Sequence, residues 1–211
     1  MIHSFENFSL IKYYMRTFLL FLVCLSTSAL AQDSTDYYYK IPDYPENYNA
    51  GTVAARVVDG LGLRYYWGTV GLRADDLDYK PSPEARTAAE TIDHIYGLTN
   101  VLVNSTRKLP NDFTKEEEEE ELTFEEKRAK TLQNIREASE ILKRSSAEDL
   151  ASYKIIFISS RGTSEYPFWN QLNGPLADAI WHVGQVVSFR RASGNPFNSN
   201  VSLLRGRLRD Q

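Results

Sequence analysis

The chain has 211 residues with 24 basic and 28 acidic side chains, a formal charge of −4. Nothing in that balance suggests nucleic-acid binding, which calls for a basic face. The one cysteine, Cys24, excludes an intramolecular disulfide and a multi-cysteine metal cage.

The first element is a signal-like stretch. Arg16 precedes "TFLLFLVCLSTSALA", an apolar run that ends in Ala29-Leu30-Ala31. A positive residue, a short apolar core and a small-x-small ending form the pattern of a secretory signal peptide, cut after Ala31. The run is too short to span a bilayer comfortably, and nothing after it is apolar enough to do so. Residues 1–14 read as an upstream extension, with Met1 or Met15 as the start. Cys24 follows "FLV" rather than a small residue, so it does not read as a lipidation site. We therefore expect an exported protein, periplasmic or secreted, with no stable membrane span after cleavage. Loss of Glu6, Lys12 and Arg16 takes the charge from −4 to −5 and leaves residues 32–211 without a cysteine. That length supports one domain with a good core.

Residues 32–48 are rich in Tyr, Pro, Asp and Asn, and read as an irregular lead-in whose tyrosines pack on the domain. From Ala50 to about Asp76 apolar residues recur at helical spacing, with Val53, Val57, Leu61, Tyr65 and Leu72 on or near one stripe. Gly60, Gly62, Gly68 and Gly71 lower helix propensity there and suit close approach of another helix. A second helix begins at Pro83 or Glu84, with Ser82 as N-cap. Ala88, Ile92, Ile95, Leu98 and Leu102 form its core face, and His94 sits in its middle. The run Glu116–Glu121 is a solvated segment without the spacing of a calcium loop. A third helix runs from about Thr123 to Arg144, with Leu132, Ile135, Ala138 and Leu142 inward. "YKIIFI" followed by "SSRGTSEYP" predicts a short strand or hairpin. Gly174-Pro175 breaks or kinks the chain before a fourth helix that stops at Gly194-Asn195-Pro196. The fold class is thus all-α: a four-helix bundle over residues 49–196, with a short strand or hairpin between helices three and four and a tail at 197–211. Trp67, Trp169 and Trp181 are expected in the core.

Asp178 and His182 are four residues apart and therefore share one helix face. His94 is the only other histidine after the cleavage point. If helices two and four are neighbours, His94, Asp178 and His182 converge as two imidazoles and a carboxylate. That set suits a divalent metal, with room left for water or substrate. Taken singly, each residue also suits a structural role; Asp178, for instance, favours the start of a helix.

"ADAIWHVGQVVSFRRASGNP" resembles the last helix of the DinB-like four-helix bundle family, where the pattern is roughly His-x-x-x-His-x-Gly-Gln. "PSPEARTAAETIDHIYGL" resembles its second helix, with Glu90 and His94 keeping a Glu-x-x-x-His spacing. The resemblance covers about Asn49 to Pro196. It implies a metal held by His94, Asp178 and His182, with aspartate standing where the family usually has the first histidine of the last helix. Zinc or nickel is the implied metal, with manganese or iron(II) as harder alternatives. Glu90, Asp93 and Gln185 are candidates to orient a ligand, and Arg190 to hold an anionic substrate. The family includes metal-dependent thiol transferases and isomerases. Export argues against a small cytoplasmic thiol as substrate and leaves hydrolysis open. The alternative is a non-catalytic bundle with a degenerate site. The partner is expected to be a small molecule, not nucleic acid, and a homodimer fits the reading. A serine hydrolase is the least favoured reading, since there is no Gly-x-Ser-x-Gly and only two histidines follow the cleavage point to act as base.

Overall fold

The computed structural model describes residues 37–115 and 122–209. The signal-like stretch and the run Glu116–Glu121 lie outside them. Four long helices carry the described chain: α1 (Ala50–Thr69), α2 (Ala88–Arg107), α3 (Phe124–Arg144) and α4 (Ala177–Ala192). The first three start the same way. Asn49, Thr87 and Thr123 accept from the backbone N–H three residues on, and Thr52, Glu90 and Glu126 return the bond. Such capping boxes satisfy amides that a helix end leaves free.

Several predicted boundaries move. Helix α1 stops at Thr69, not near Asp76, because Val70 is extended and Gly71 turns at φ 68°. A separate short helix, Ala74–Leu77, follows. Its apolar stripe is also rotated. Val53 and Val57 are exposed, while Ala54, Ala55, Val58, Leu61 and Tyr65 are buried. Most sides of α1 face other parts of the chain, so several phases of apolar residues satisfied the spacing equally. Helix α2 starts at Ala88 with Thr87 as its cap, rather than at Pro83 with Ser82. The reciprocal Thr87–Glu90 pair fixes the start one turn later. Helix α3 follows its predicted span, and Leu132, Ile135, Ala138 and Leu142 are all buried.

The predicted hairpin forms from β2 (Lys154–Ser159) and β3 (Gly162–Pro167), paired antiparallel. A two-residue strand before it in the chain, β1 (Asn111–Asp112), adds a parallel partner to β2 that the sequence did not announce. A short helix, Ala147–Ser152, joins α3 to the sheet. Residues 197–209 hold a second small hairpin, β4 (Val201–Ser202) and β5 (Arg207–Leu208). The fold is therefore mostly helical with a few short strands. Gly174 leaves helical geometry at φ −97°, ψ −107°, and Pro175 follows it, so the turn Phe168–Gln171 is set off from α4.

Helix α1 packs on α3 and α4, and α2 packs on the same two, so α1 and α2 lie diagonally in the ring. Helices two and four are thus neighbours. The core runs through the ring, from Val58 and Leu61 of α1 through Ile92 and Ile95 of α2 to Val183 and Val186 of α4. Two glycines of α1 allow close approach of neighbouring helices. A Cβ on Gly68 would sit 3.2 Å from Val183 of α4, and one on Gly51 would lie 2.5 Å from the Leu142 carbonyl oxygen of α3. Trp67 is buried, but Trp169 and Trp181 are largely exposed, against expectation. Trp181 precedes His182 on α4 and projects from the side of the helix away from the buried Ala179, Val183 and Val186. No helix among the described residues is long and apolar enough to cross a membrane.

Candidate metal centre

Helix α4 carries two working faces. Ala179, Val183, Val186 and Arg190 are buried, while Asp178, His182, Gln185 and Phe189 form a second stripe at the same helical spacing. That second stripe meets α2 at His94. One ligand atom from each of His94, Asp178 and His182 lies within 4.8 Å of the other two, so the group could hold a metal ion.

The carboxylate of Asp178 stands between the two imidazoles. Its Oδ2 is 3.2 Å from His94 Nε2, and its Oδ1 is 3.3 Å from His182 Nε2. The two rings meet edge to face, with centroids 4.6 Å apart. His182 is mostly covered, while His94 and Asp178 are about one-third exposed. One side of the group therefore opens to solvent.

Gln185 fixes the tautomer. His182 Nδ1 donates to the Gln185 amide oxygen at 2.8 Å. An amide oxygen only accepts, so the proton of a neutral ring sits on Nδ1 and Nε2 presents its lone pair. That lone pair faces a carboxylate oxygen. Two acceptors 3.3 Å apart repel unless a cation lies between them, either a second ring proton or a metal. Ligands about 2.0–2.1 Å from a tetrahedral zinc stand about 3.3 Å apart. The two short separations run to different oxygens of Asp178, and with one atom from each residue the group lies within 4.8 Å, so it is the donor set of two imidazoles and a carboxylate that suits a divalent cation.

The other candidates fall elsewhere. The carboxylate of Glu90 accepts from the Thr87 backbone N–H at 2.7 Å, which holds its pKa below the usual carboxylate range. It is committed to the helix cap. Asp93 is exposed and pairs with Lys127 of α3 instead of orienting His94. Arg190 is not free for a substrate. Its Nη1 donates to the carbonyls of Trp67, Gly68 and Val70, at 3.1 to 3.2 Å, and its Nε to that of Asn195. It closes the C-terminal end of α1, and burial lowers its pKa.

Beside the group, a cavity of about 390 Å³ lies between the approach to α2 and the later half of α4. His182 and Gln185 form part of its wall, with Thr91, Phe189 and Arg86. Arg86 was not singled out in the sequence. Its one usable signal was its position immediately before Thr87, the cap of the histidine-bearing helix.

The family model of the DinB superfamily matches residues 68–186, more than half of the chain. The chain belongs to the DinB superfamily. The match takes in all three candidate ligands. Among solved structures, the crystal structure of a DinB-like protein, YjoA of Bacillus subtilis, shares 17% identity with this DinB chain. It covers 72% of this chain and 93% of its own, with a TM-score of 0.45. No curated protein matches at a significant level.

Proposed function

We propose that this DinB superfamily member is an exported four-helix bundle that holds one divalent metal, zinc or nickel first, through His94, Asp178 and His182. The carrying observation is the convergence of His94, Asp178 and His182, whose ligand atoms lie within 4.8 Å of one another, with Nδ1 of His182 engaged by Gln185. Placement outside the cytoplasm is supported by the sequence pattern from Arg16 to Ala31.

A divalent metal with an open position acts as a Lewis acid and lowers the pKa of a water or thiol bound to it. The chain's own groups do the rest. Gln185 holds the His182 ring in one tautomer, and Asp178 supplies negative charge that offsets the cation. The cavity beside His182 gives a small molecule a defined place, with Phe189 as an apolar wall. Transfer or hydrolysis on a small substrate follows as the reaction class.

A second reading rests on the same contacts. A proton on His182 Nε2 would let the imidazolium and Asp178 satisfy each other, and the bundle would then bind a ligand without catalysis. Metal content by mass spectrometry separates the two, on untagged protein purified without chelator, beside His182→Ala. About one metal per chain in the parent, lost in the variant, supports the centre. No uptake after incubation with zinc, nickel and manganese sinks the metal reading and leaves the second.

A further inference from the structure

The cavity beside His182 has a chemical polarity of its own. Phe189 provides apolar surface on one side and is backed by Tyr79, its ring centroid 5.8 Å away. Pro81 and Ala85 also line the cavity. Arg86 supplies the one formal charge in the wall. Arg107 pairs with Glu137, Arg136 with Glu140 and Arg190 with backbone carbonyls, while the exposed Arg191 of α4 lies outside this wall. Arg86 has no hydrogen-bond or ion-pair partner among the described residues. The acidic residue one turn along, Glu90, feels the charge of Arg86 but forms no ion pair with it: its carboxylate accepts from the Thr87 backbone and is not part of the wall. Gln185 spends its amide oxygen on His182, which leaves its N–H groups for another acceptor.

We propose that this cavity is an anion seat, selecting a small organic acid whose carboxylate pairs with Arg86 and whose apolar body lies against Phe189. A guanidinium presents a planar fork of donors that matches a carboxylate in two-point fashion. A volume of about 390 Å³ suits a compact molecule rather than a polymer segment. His182 and Gln185 share the wall, so the far end of such an acid points toward the His94–Asp178–His182 group. The seat itself stands on Arg86 and the apolar walls. Its role as a substrate site rests on the proposed metal function.

The test uses the full chain and two probes of equal length and apolar body, 3-phenylpropionate and 3-phenylpropanol. Binding is read by ligand-observed nuclear magnetic resonance titration, on chelator-treated protein and again with zinc. Chelation removes the competing attraction of a carboxylate for a metal. The expected result is that the acid binds roughly tenfold tighter than the alcohol. Arg86→Gln should level the two, and Arg86→Lys should keep part of the difference. Arg86 is exposed, so a thermal melt should show each variant folded like the parent. Equal binding of the two probes in the parent overturns the anion seat. So does a preference that survives Arg86→Gln, or no binding of the acid at about 10 mM, weaker than any specific seat of this kind. Zinc uptake is scored separately. Failure of zinc binding with an intact, Arg86-dependent preference removes the metal reading and keeps the seat.

Discussion

At the scale of single residues, Gln185 decides what the two histidines of the centre can do. It fixes the His182 tautomer through a 2.8 Å bond without being a candidate ligand itself. Removing such an orienting partner costs a metal site roughly 10- to 100-fold in affinity. Gln185→Leu should therefore weaken zinc binding by that amount while leaving the fold intact, measured by competition with a chromogenic chelator. Unchanged affinity would show that packing alone orients His182. Asp178 and His182 were legible as a pair because i, i+4 spacing fixes a shared helix face whatever surrounds it, whereas His94 joined them only on the condition that helices two and four are neighbours. Arg190 was misread for a complementary reason. An arginine near a helix end looks the same in sequence whether its guanidinium meets solvent or the open carbonyls of another helix.

At the scale of elements, glycines separate propensity from packing. Gly51 sits near the start of α1, where an added Cβ would lie 2.5 Å from the Leu142 carbonyl oxygen and 2.6 Å from that of Ser145. Backbone cannot give way cheaply, so Gly51→Ala should destabilise by about 2 kcal/mol despite its better helix propensity. Gly97, in the middle of α2, is exposed and has nothing within 4 Å of such a Cβ. Gly97→Ala should stabilise by about 0.5–1 kcal/mol. Urea denaturation of the pair checks both signs, and a gain in both would mean that α1 and α3 can move apart. Helix α3 was read correctly because one side alone is buried, which leaves a single phase for its apolar residues. Helix α1 was half right: Leu61 and Tyr65 are buried as expected, but most of its circumference is covered, so Val53 and Val57 fitted the spacing and still ended outside. The Thr123–Glu126 and Thr87–Glu90 boxes show that the capping signal was present at both starts. At α2 the prolines at 81 and 83 drew the boundary too early.

At the scale of the whole molecule, Asp76 ties the end of α1 to the end of α4. Its side chain is fully buried, and it accepts from Arg73 at 2.8 Å, Ser193 at 2.5 Å and Asn195 at 2.7 Å. The Arg73 bond, with those from Ser193 and Asn195, holds its pKa far below the ordinary value of 3.8. The folded value lies below the unfolded one, so this contribution to stability is complete above about pH 4. It is lost as pH falls through the folded value. Asp76→Asn should lower stability at neutral pH and flatten the decline between about pH 4 and pH 2, followed by thermal melts across that range. An unchanged acid slope would place the acid sensitivity in other carboxylates.

The sequence by itself determined the local matters: the span of α3, the hairpin, and the shared face of Asp178 and His182. Each depends on residues a few positions apart, whose geometry the backbone fixes. Tertiary structure alone decided that α2 lies against α4 rather than across the ring from it. It thereby brought His94 to Asp178, turned Arg190 to the carbonyls of α1, and set Arg86 in the wall beside His182. Those juxtapositions join residues some 80 to 120 positions apart. They follow from which apolar faces bury each other best, a property of the assembled core that no single segment carries.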